Sequence, residues 1–177
     1  MSETFAKLHD YRVALVDGFA AQPAELAELL QPLTEAASRT PRVAGGNTLH
    51  QVLAHLRDVE IHAFLPRFRR LLAEDKPELE PFASPDWTAD RYQFEEALPA
   101  ILAEFTHARA EAVTLMRAMR PEDWARLGFH PPTGWRTAQW WVEHIYRHAR
   151  EHLLEVQRAL TATTPSRPAN WHIADNG

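Results

Sequence analysis

The stretch that decides the fold is WWVEHIYRHAREHLLEV, Trp140–Val156. Val142, Ile145, Ala149, Leu153 and Val156 recur at helical spacing and trace one apolar stripe. His144, His148 and His152 stand four residues apart. Residues at that interval lie one turn apart on a shared helix face, so a pair of them can hold one metal ion. On a helical wheel, His148 and His152 fall on one edge of the apolar stripe, beside Trp141. His144 turns further round, toward Glu151 and Glu155.

A second helix shows the same arrangement. Thr48 followed by Gln51 makes a capping box, and Leu49, Val52, Leu56, Val59 and Ala63 continue as an apolar stripe. His55 sits at the edge of that stripe, with His62 two turns along on nearly the same bearing. Two helices packed by their stripes would set His55 against His148 and His152. Three neutral imidazoles suit a borderline divalent ion such as Zn, Ni or Fe, and three protein ligands leave at least one position open, as catalytic sites do.

The competing reading is that these histidines are surface or satisfied core residues. His9, His50, His107, His130 and His172 are read in that way, as surface or loop positions. Asp58 and Glu60 flank His55; they can support a ligand or act as a general base, or simply form surface ion pairs. Trp124, Trp135, Trp140, Trp141 and Tyr146 read as core, with Trp141 the candidate for lining a pocket. Arg147 and Arg150 can meet an anion or belong to a solvated face.

The remaining chain supplies scaffold. A first helical region over Thr4–Leu33 is expected to kink or divide at Gly18 and Pro23. Ser38–Asn47 reads as a loop. The second helix runs from Thr48 to about Leu72, bent at Pro66. Glu74–Tyr92 forms a long crossing, and such a length is uncommon unless it spans a bundle or covers a site. Phe94–Met119 is a third helix, Pro121–Leu127 a helical turn, and Gly128–Trp135 a turn-rich loop. Thr137 is the expected N-cap of the last helix, which ends near Leu160. Nothing reads as a strand. The expected architecture is an all-α four-helix bundle with one long crossover between helices two and three. It occupies residues 1–160 as a single domain, and residues 161–177 form an extended or flexible tail.

Composition narrows the function. The chain has 177 residues, 45% hydrophobic and 24% charged, with a net charge of −5. That balance argues against a nucleic-acid-binding surface. There is no cysteine, which removes disulfides, thiolate ligands and a cysteine nucleophile together. Any thiol chemistry would use a thiol supplied by a substrate. The N-terminus lacks a signal-peptide pattern and no apolar run is long enough to span a bilayer, so a cytoplasmic protein without a membrane partner is expected.

Three segments carry a family resemblance: GGNTLHQVLAHLRDVEIHAFLPRF, GFHPPTGWRTAQWW and RHAREHLLEV. In order and spacing they resemble the DinB/YfiT-like superfamily of metal-binding four-helix proteins, over roughly Gly45–Leu160. The resemblance implies that His55, matching the histidine of the "HL" motif, and His148 and His152, matching the HxxxH motif, are the metal ligands and that His144 is not. Asn47, Arg147 and Glu151 depart from the family pattern around the site, so the substrate does not carry over.

Similar proteins bind nickel or zinc and are commonly homodimers. Some are described as metal-dependent hydrolases, and others transfer low-molecular-weight thiols such as bacillithiol. The expectation is a metal-dependent enzyme holding Zn or Ni (Fe or Mn also suit the ligands). It would transfer a small thiol co-substrate to an electrophilic small molecule in stress or detoxification. The alternatives are hydrolysis by a metal-bound water, with Asp58 or Glu60 as base, and a non-catalytic stress-induced metal-binding dimer.

Overall fold

The computed structural model describes residues 3–40, 43, 47–82 and 90–162. Within them the chain forms α1 (Glu3–Leu30), a short α2 (Glu35–Ser38), α3 (Leu49–Asp58), α4 (Leu65–Ala73), α5 (Leu98–Arg117) and α6 (Ala138–Ala162). The main packing runs α1 with α5, α5 with α3, α3 with α6, and α6 with α1. The four long helical elements therefore close a ring, and the expected all-α four-helix bundle is the fold. No helix among the described residues is long and apolar enough to cross a membrane.

Helix α1 runs as one element and does not divide at Gly18 or Pro23. Gly18 is not a breaker but a point of close approach: a Cβ there would lie 3.2 Å from Cε2 and from the hydroxyl of Tyr146. Pro23 is buried inside the helix, and the packing of α1 as a whole against α5 and α6 offsets the hydrogen bond that a proline removes.

Helix α3 begins as its sequence dictates. The Thr48 side chain accepts from the Gln51 amide at 3.0 Å, and Gln51 Oε1 accepts from the Thr48 amide at 2.8 Å. The helix passes into α4 through a π-helical turn, Val59–Phe64, in which the Leu65 amide reaches back to the Glu60 carbonyl. Pro66 follows directly. It has no amide hydrogen to give, and its ring would crowd the carbonyl four residues earlier, so a wider turn at this point relieves both problems.

The segment expected to contain no strand holds a small antiparallel hairpin, β1 (Leu127–His130) and β2 (Gly134–Thr137), with Leu127 opposite Thr137 and His130 opposite Gly134. Its turn is Pro131-Pro132-Thr133, closed by the Thr133 amide on the His130 carbonyl at 3.0 Å. Gly134 then takes φ 76°, the left-handed residue that a three-residue hairpin loop requires. The crossing after α4 pairs with β1 from its other side, the Leu79 amide donating to the Phe129 carbonyl and the Phe129 amide to the Pro77 carbonyl. Thr137 caps α6, its hydroxyl accepting from the Trp140 amide at 3.1 Å. The last helix reaches Ala162, two residues beyond the expected end; the proposed tail from 163 onward, with Trp171 and His172, lies outside the described residues, as do 83–89 of the crossing.

The core is divided. One buried cluster gathers Phe19, Phe64, Phe68, Ala112, Trp141 and Ile145, and the other Leu26, Leu49, Leu53, Ile101, Leu153 and Val156. Between them, by position along each helix, stands a buried polar layer. Gln22 donates to the Tyr146 carbonyl at 2.9 Å and accepts from Arg109 Nη1 at 2.5 Å, while Arg109 Nη2 donates to Glu60 Oε2 at 2.9 Å. Arg109 and Glu60 are each 1% exposed, and the guanidinium packs 3.7 Å from the Phe19 ring centroid.

Candidate metal centre

His55 on α3 and His148 and His152 on α6 meet at the level of this polar layer, one potential ligand atom from each lying within 4.8 Å of the others. The convergence follows from the two stripes: Leu56 and Val52 bury against Ala149 and Leu153 in one cluster, which turns the neighbouring histidine edges toward each other. His55 Nε2 and His148 Nε2 are 3.2 Å apart. Two imidazole nitrogens at about 2.0–2.1 Å from one tetrahedral ion stand about 3.3 Å apart, so the pair has the separation that a shared ion requires. The rings of His55 and His152 meet edge to face at 4.9 Å, as do those of His148 and His152 at 4.7 Å.

All three side chains are half-buried. Burial, and then the adjacent His152, depress the His55 pKa to about 4. Burial, and then His152 and His55, depress that of His148 to about 3. Both rings are therefore neutral near pH 7, the state that ligates a metal. His152 is oriented from behind, its Nδ1 lying 2.7 Å from Glu155 Oε2. With Nδ1 donating to that carboxylate, Nε2 carries the free lone pair, the arrangement usual for a metal-bound histidine. The donor set and its spacing fit a divalent ion of the zinc or nickel kind. Among the described residues no carboxylate joins the three histidines in this group, so an ion held there would take three protein ligands and keep coordination open.

The other candidates fall elsewhere. His144 stacks on Trp140 at 4.7 Å with the rings 7° from parallel. His62 is exposed and borders two outer cavities. Asp58, 3% exposed, accepts from Arg57 Nε at 2.8 Å, and Arg57 also reaches Glu96 at 2.6 Å. Glu60 is held by Arg109; burial pushes its carboxyl up and the guanidinium opposes that shift. Trp141 is 2% exposed, a core residue; Arg67, which lines a cavity of about 640 Å³, lies over its ring.

Two histidines read as surface or loop positions are buried. His50, 0% exposed, lies 2.8 Å from both the Tyr92 hydroxyl and the Glu96 carbonyl. His130 is 7% exposed. Three polar residues that hydrogen-bond at or beside this region were missed by the sequence reading. Glu155 is signalled only by its i, i+3 spacing from His152. Gln22 and Arg109 are signalled by being polar at core-facing positions, Gln22 between Phe19 and Leu26, and Arg109 between Phe105 and Ala112.

Comparison with known proteins bears on the family and the fold. Residues 19–156 match the model of the DinB superfamily. The chain is 26% identical over 148 residues to a protein of Bacillus pumilus, the alignment covering 83% of each. It is 34% identical over 130 residues to one of Geobacillus thermodenitrificans, covering 70% of this chain and 71% of the relative. Both relatives are provisionally named metal-dependent hydrolases. Among solved structures, YfiT from Bacillus subtilis superposes with a TM-score of 0.78, covering 92% of this chain and 89% of its own, at 20% identity. Its published description gives it an unusual four-helix bundle topology, and the likeness is one of fold.

Proposed function

The chain belongs to the DinB superfamily, and from that premise we propose that it is a metal-dependent enzyme that transfers a low-molecular-weight thiol to an electrophilic small molecule. The observation that carries this reading is the convergence of His55, His148 and His152 without a carboxylate among them. A divalent ion at these nitrogens would acidify a coordinated thiol and make a nucleophile available near neutral pH. The chain's own residues do the rest. The three imidazoles fix the position of the centre, and Glu155 holds the His152 ring in its ligating orientation. The thiol proton leaves to solvent, the sulfur–carbon bond forms, and the leaving group departs with its electron pair. No protein base is needed, which suits a site whose neighbouring carboxylates, Asp58 and Glu60, are engaged by Arg57 and Arg109. The absence of cysteine means that the thiol arrives as co-substrate.

A second reading, hydrolysis, is favoured by the names of the relatives. There water replaces the thiol, and a carboxylate base within reach would be an advantage. Our reading places the protein in the cytoplasm as a homodimer with small-molecule substrates, in a stress or detoxification role.

The deciding experiment starts with tag-free protein of measured metal content. It is assayed with a chloro-dinitrobenzene-type electrophile and with ester and amide substrates, with and without bacillithiol, mycothiol, glutathione or cysteine. Conjugation that requires both thiol and metal supports transfer. Turnover without thiol replaces transfer with hydrolysis. Failure of both leaves the non-catalytic metal-binding dimer.

A further inference from the structure

Among the described residues, five buried side-chain atoms have no hydrogen-bond partner, and two of them, Glu60 Oε1 and Arg109 Nε, belong to the ion pair in the polar layer of the core. Burial pushes the Glu60 carboxyl up and the Arg109 guanidinium down, and each partner offsets only part of that shift. A buried ion pair with unmatched atoms is a poor source of stability, since well-packed apolar residues of similar volume often do as well or better. What an apolar layer cannot supply is direction. Hydrogen bonds fix distances and orientations that interchangeable apolar contacts leave free.

The bonds of this layer form a chain between the two helices that carry the histidines. It starts on α6 at the Tyr146 carbonyl, two residues before His148, which accepts from Gln22 Nε2 of α1 at 2.9 Å. Gln22 Oε1 accepts from Arg109 Nη1 of α5 at 2.5 Å, and Arg109 Nη2 donates to Glu60 Oε2 at 2.9 Å. Glu60 stands in the π-turn that continues α3, five residues past His55. Single π-turns of this kind occur frequently at functional sites. Gln22, Arg109 and Glu60 are each 1% exposed, and the guanidinium packs against the rings of Phe19 at 3.7 Å and Phe105 at 4.9 Å. Its charge reaches His148, adding to burial and to the neighbouring histidines in depressing that ring's pKa.

We propose that the Gln22–Arg109–Glu60 chain is a positioning device for the metal centre, with Arg109 as its hub. It fixes the approach of α3 to α6, and with it the 3.2 Å separation of His55 Nε2 and His148 Nε2. A binding constellation loses its fit when its members stray by more than about 0.5 Å. Glu155 orients one ring directly; the buried chain acts further back, through the placement of whole helices. The inference rests on the reading of the triad as the site of a divalent ion, and it is independent of whether the loaded protein transfers a thiol or hydrolyses its substrate.

The test uses the tag-free full chain. Zinc affinity is measured by chelator competition, and the visible absorption of the cobalt-loaded protein reports the coordination geometry. Arg109→Met combined with Glu60→Leu removes both charges together, keeps the net charge, and fills the layer with apolar side chains. This double variant is expected to fold, to bind zinc about tenfold more weakly and to shift the cobalt absorption bands. Gln22→Met cuts the chain at both of its bonds, keeps the ion pair, and is expected to weaken zinc binding about threefold or more. It carries the test should the double variant not fold. Leu71→Ala opens a cavity beside the hairpin, where Leu71 packs near Gly128; it lowers stability and is expected to bind zinc like the parent. Parental zinc affinity in the folded variants, or an equal loss in Leu71→Ala, overturns the proposal. A parent chain that binds neither zinc nor cobalt overturns the metal reading itself, and the positioning role with it.

Discussion

Replacing Glu155 probes how much of the metal centre is built outside its ligands. The carboxylate touches no ion in the proposed site; it acts on His152, whose Nδ1 lies 2.7 Å from Oε2. Removing such a partner typically costs 10–100-fold in metal affinity, or about 1.4–2.7 kcal/mol. The Glu155 side chain is 40% exposed and that of His152 21%, so solvent screens the charge and the lower end of the range applies. Glu155→Ala is therefore expected to weaken zinc binding about tenfold. Glu155→Gln keeps an acceptor oxygen and loses only the charge; since charge-assisted bonds are roughly twice as strong as neutral ones, its effect should be about half as large in free energy, or threefold. His152→Ala removes a ligand and should abolish stoichiometric binding. Competition against a chromophoric chelator at pH 7.5, on tag-free protein, measures all three. Zinc affinity for Glu155→Ala equal to the parent's, or a Gln variant weaker than the Ala variant, would refute the argument that this carboxylate sets the ring.

Three further outcomes are expected. His55→Ala and His148→Ala, each alone, should reduce bound metal well below one per chain by elemental analysis; unchanged stoichiometry in both would remove the triad. Arg109→Met strands the buried Glu60 carboxylate and should cost about 3–5 kcal/mol in urea denaturation, whereas Arg109→Met combined with Glu60→Leu should recover much of the loss. Finally, His55 and His148 titrate in the folded chain near 4 and 3, below the unfolded value of about 6.5. The unfolded chain therefore takes up these protons first. In metal-free protein, the stability that the neutral rings contribute is complete above pH 6.5 and is lost as pH falls toward 4 and 3, with a slope of up to about 1.4 kcal/mol per pH unit for each ring. Melting temperatures that fall as steeply in a His55→Leu, His148→Leu double variant as in the parent would assign the slope to other groups.

The four helices were legible because each carries a stripe that the core absorbs, and the Thr48–Gln51 box marks a helix start by chemistry that acts within four residues. The convergence of His55, His148 and His152 was legible for the same reason: a histidine at the edge of a stripe must emerge where two stripes meet. What escaped was set by contacts distant in sequence. Gly18 looked like a break because nothing in its neighbourhood announces the Tyr146 ring. The hairpin is four residues on each side, too short for alternation to register, and its stability comes from Leu79 and Pro77 pairing with Phe129. There too a glycine is decisive, since a Cβ at Gly128 would lie 2.8 Å from Leu71 Cδ2. His50 and Arg109 were hidden because a polar residue on a helix gives no sign of whether its partner waits on another element.

The π-turn before Pro66 has a consequence for how this protein can change. An α-helix advances about 100° per residue, and the wider turn at Val59–Phe64 leaves Leu65–Ala73 out of phase with Leu49–Asp58 by roughly one residue's rotation. His55 can thus address α6 while Phe68 and Leu71, both 0% exposed, still point into the other core cluster from the same continuous rod. Losing a single residue from the turn would restore a uniform helix and swing both side chains off the core, while leaving every ligand in the sequence. The length of this helix is for that reason under tighter constraint than its composition: many of its side chains can be exchanged, but its residues cannot be recounted.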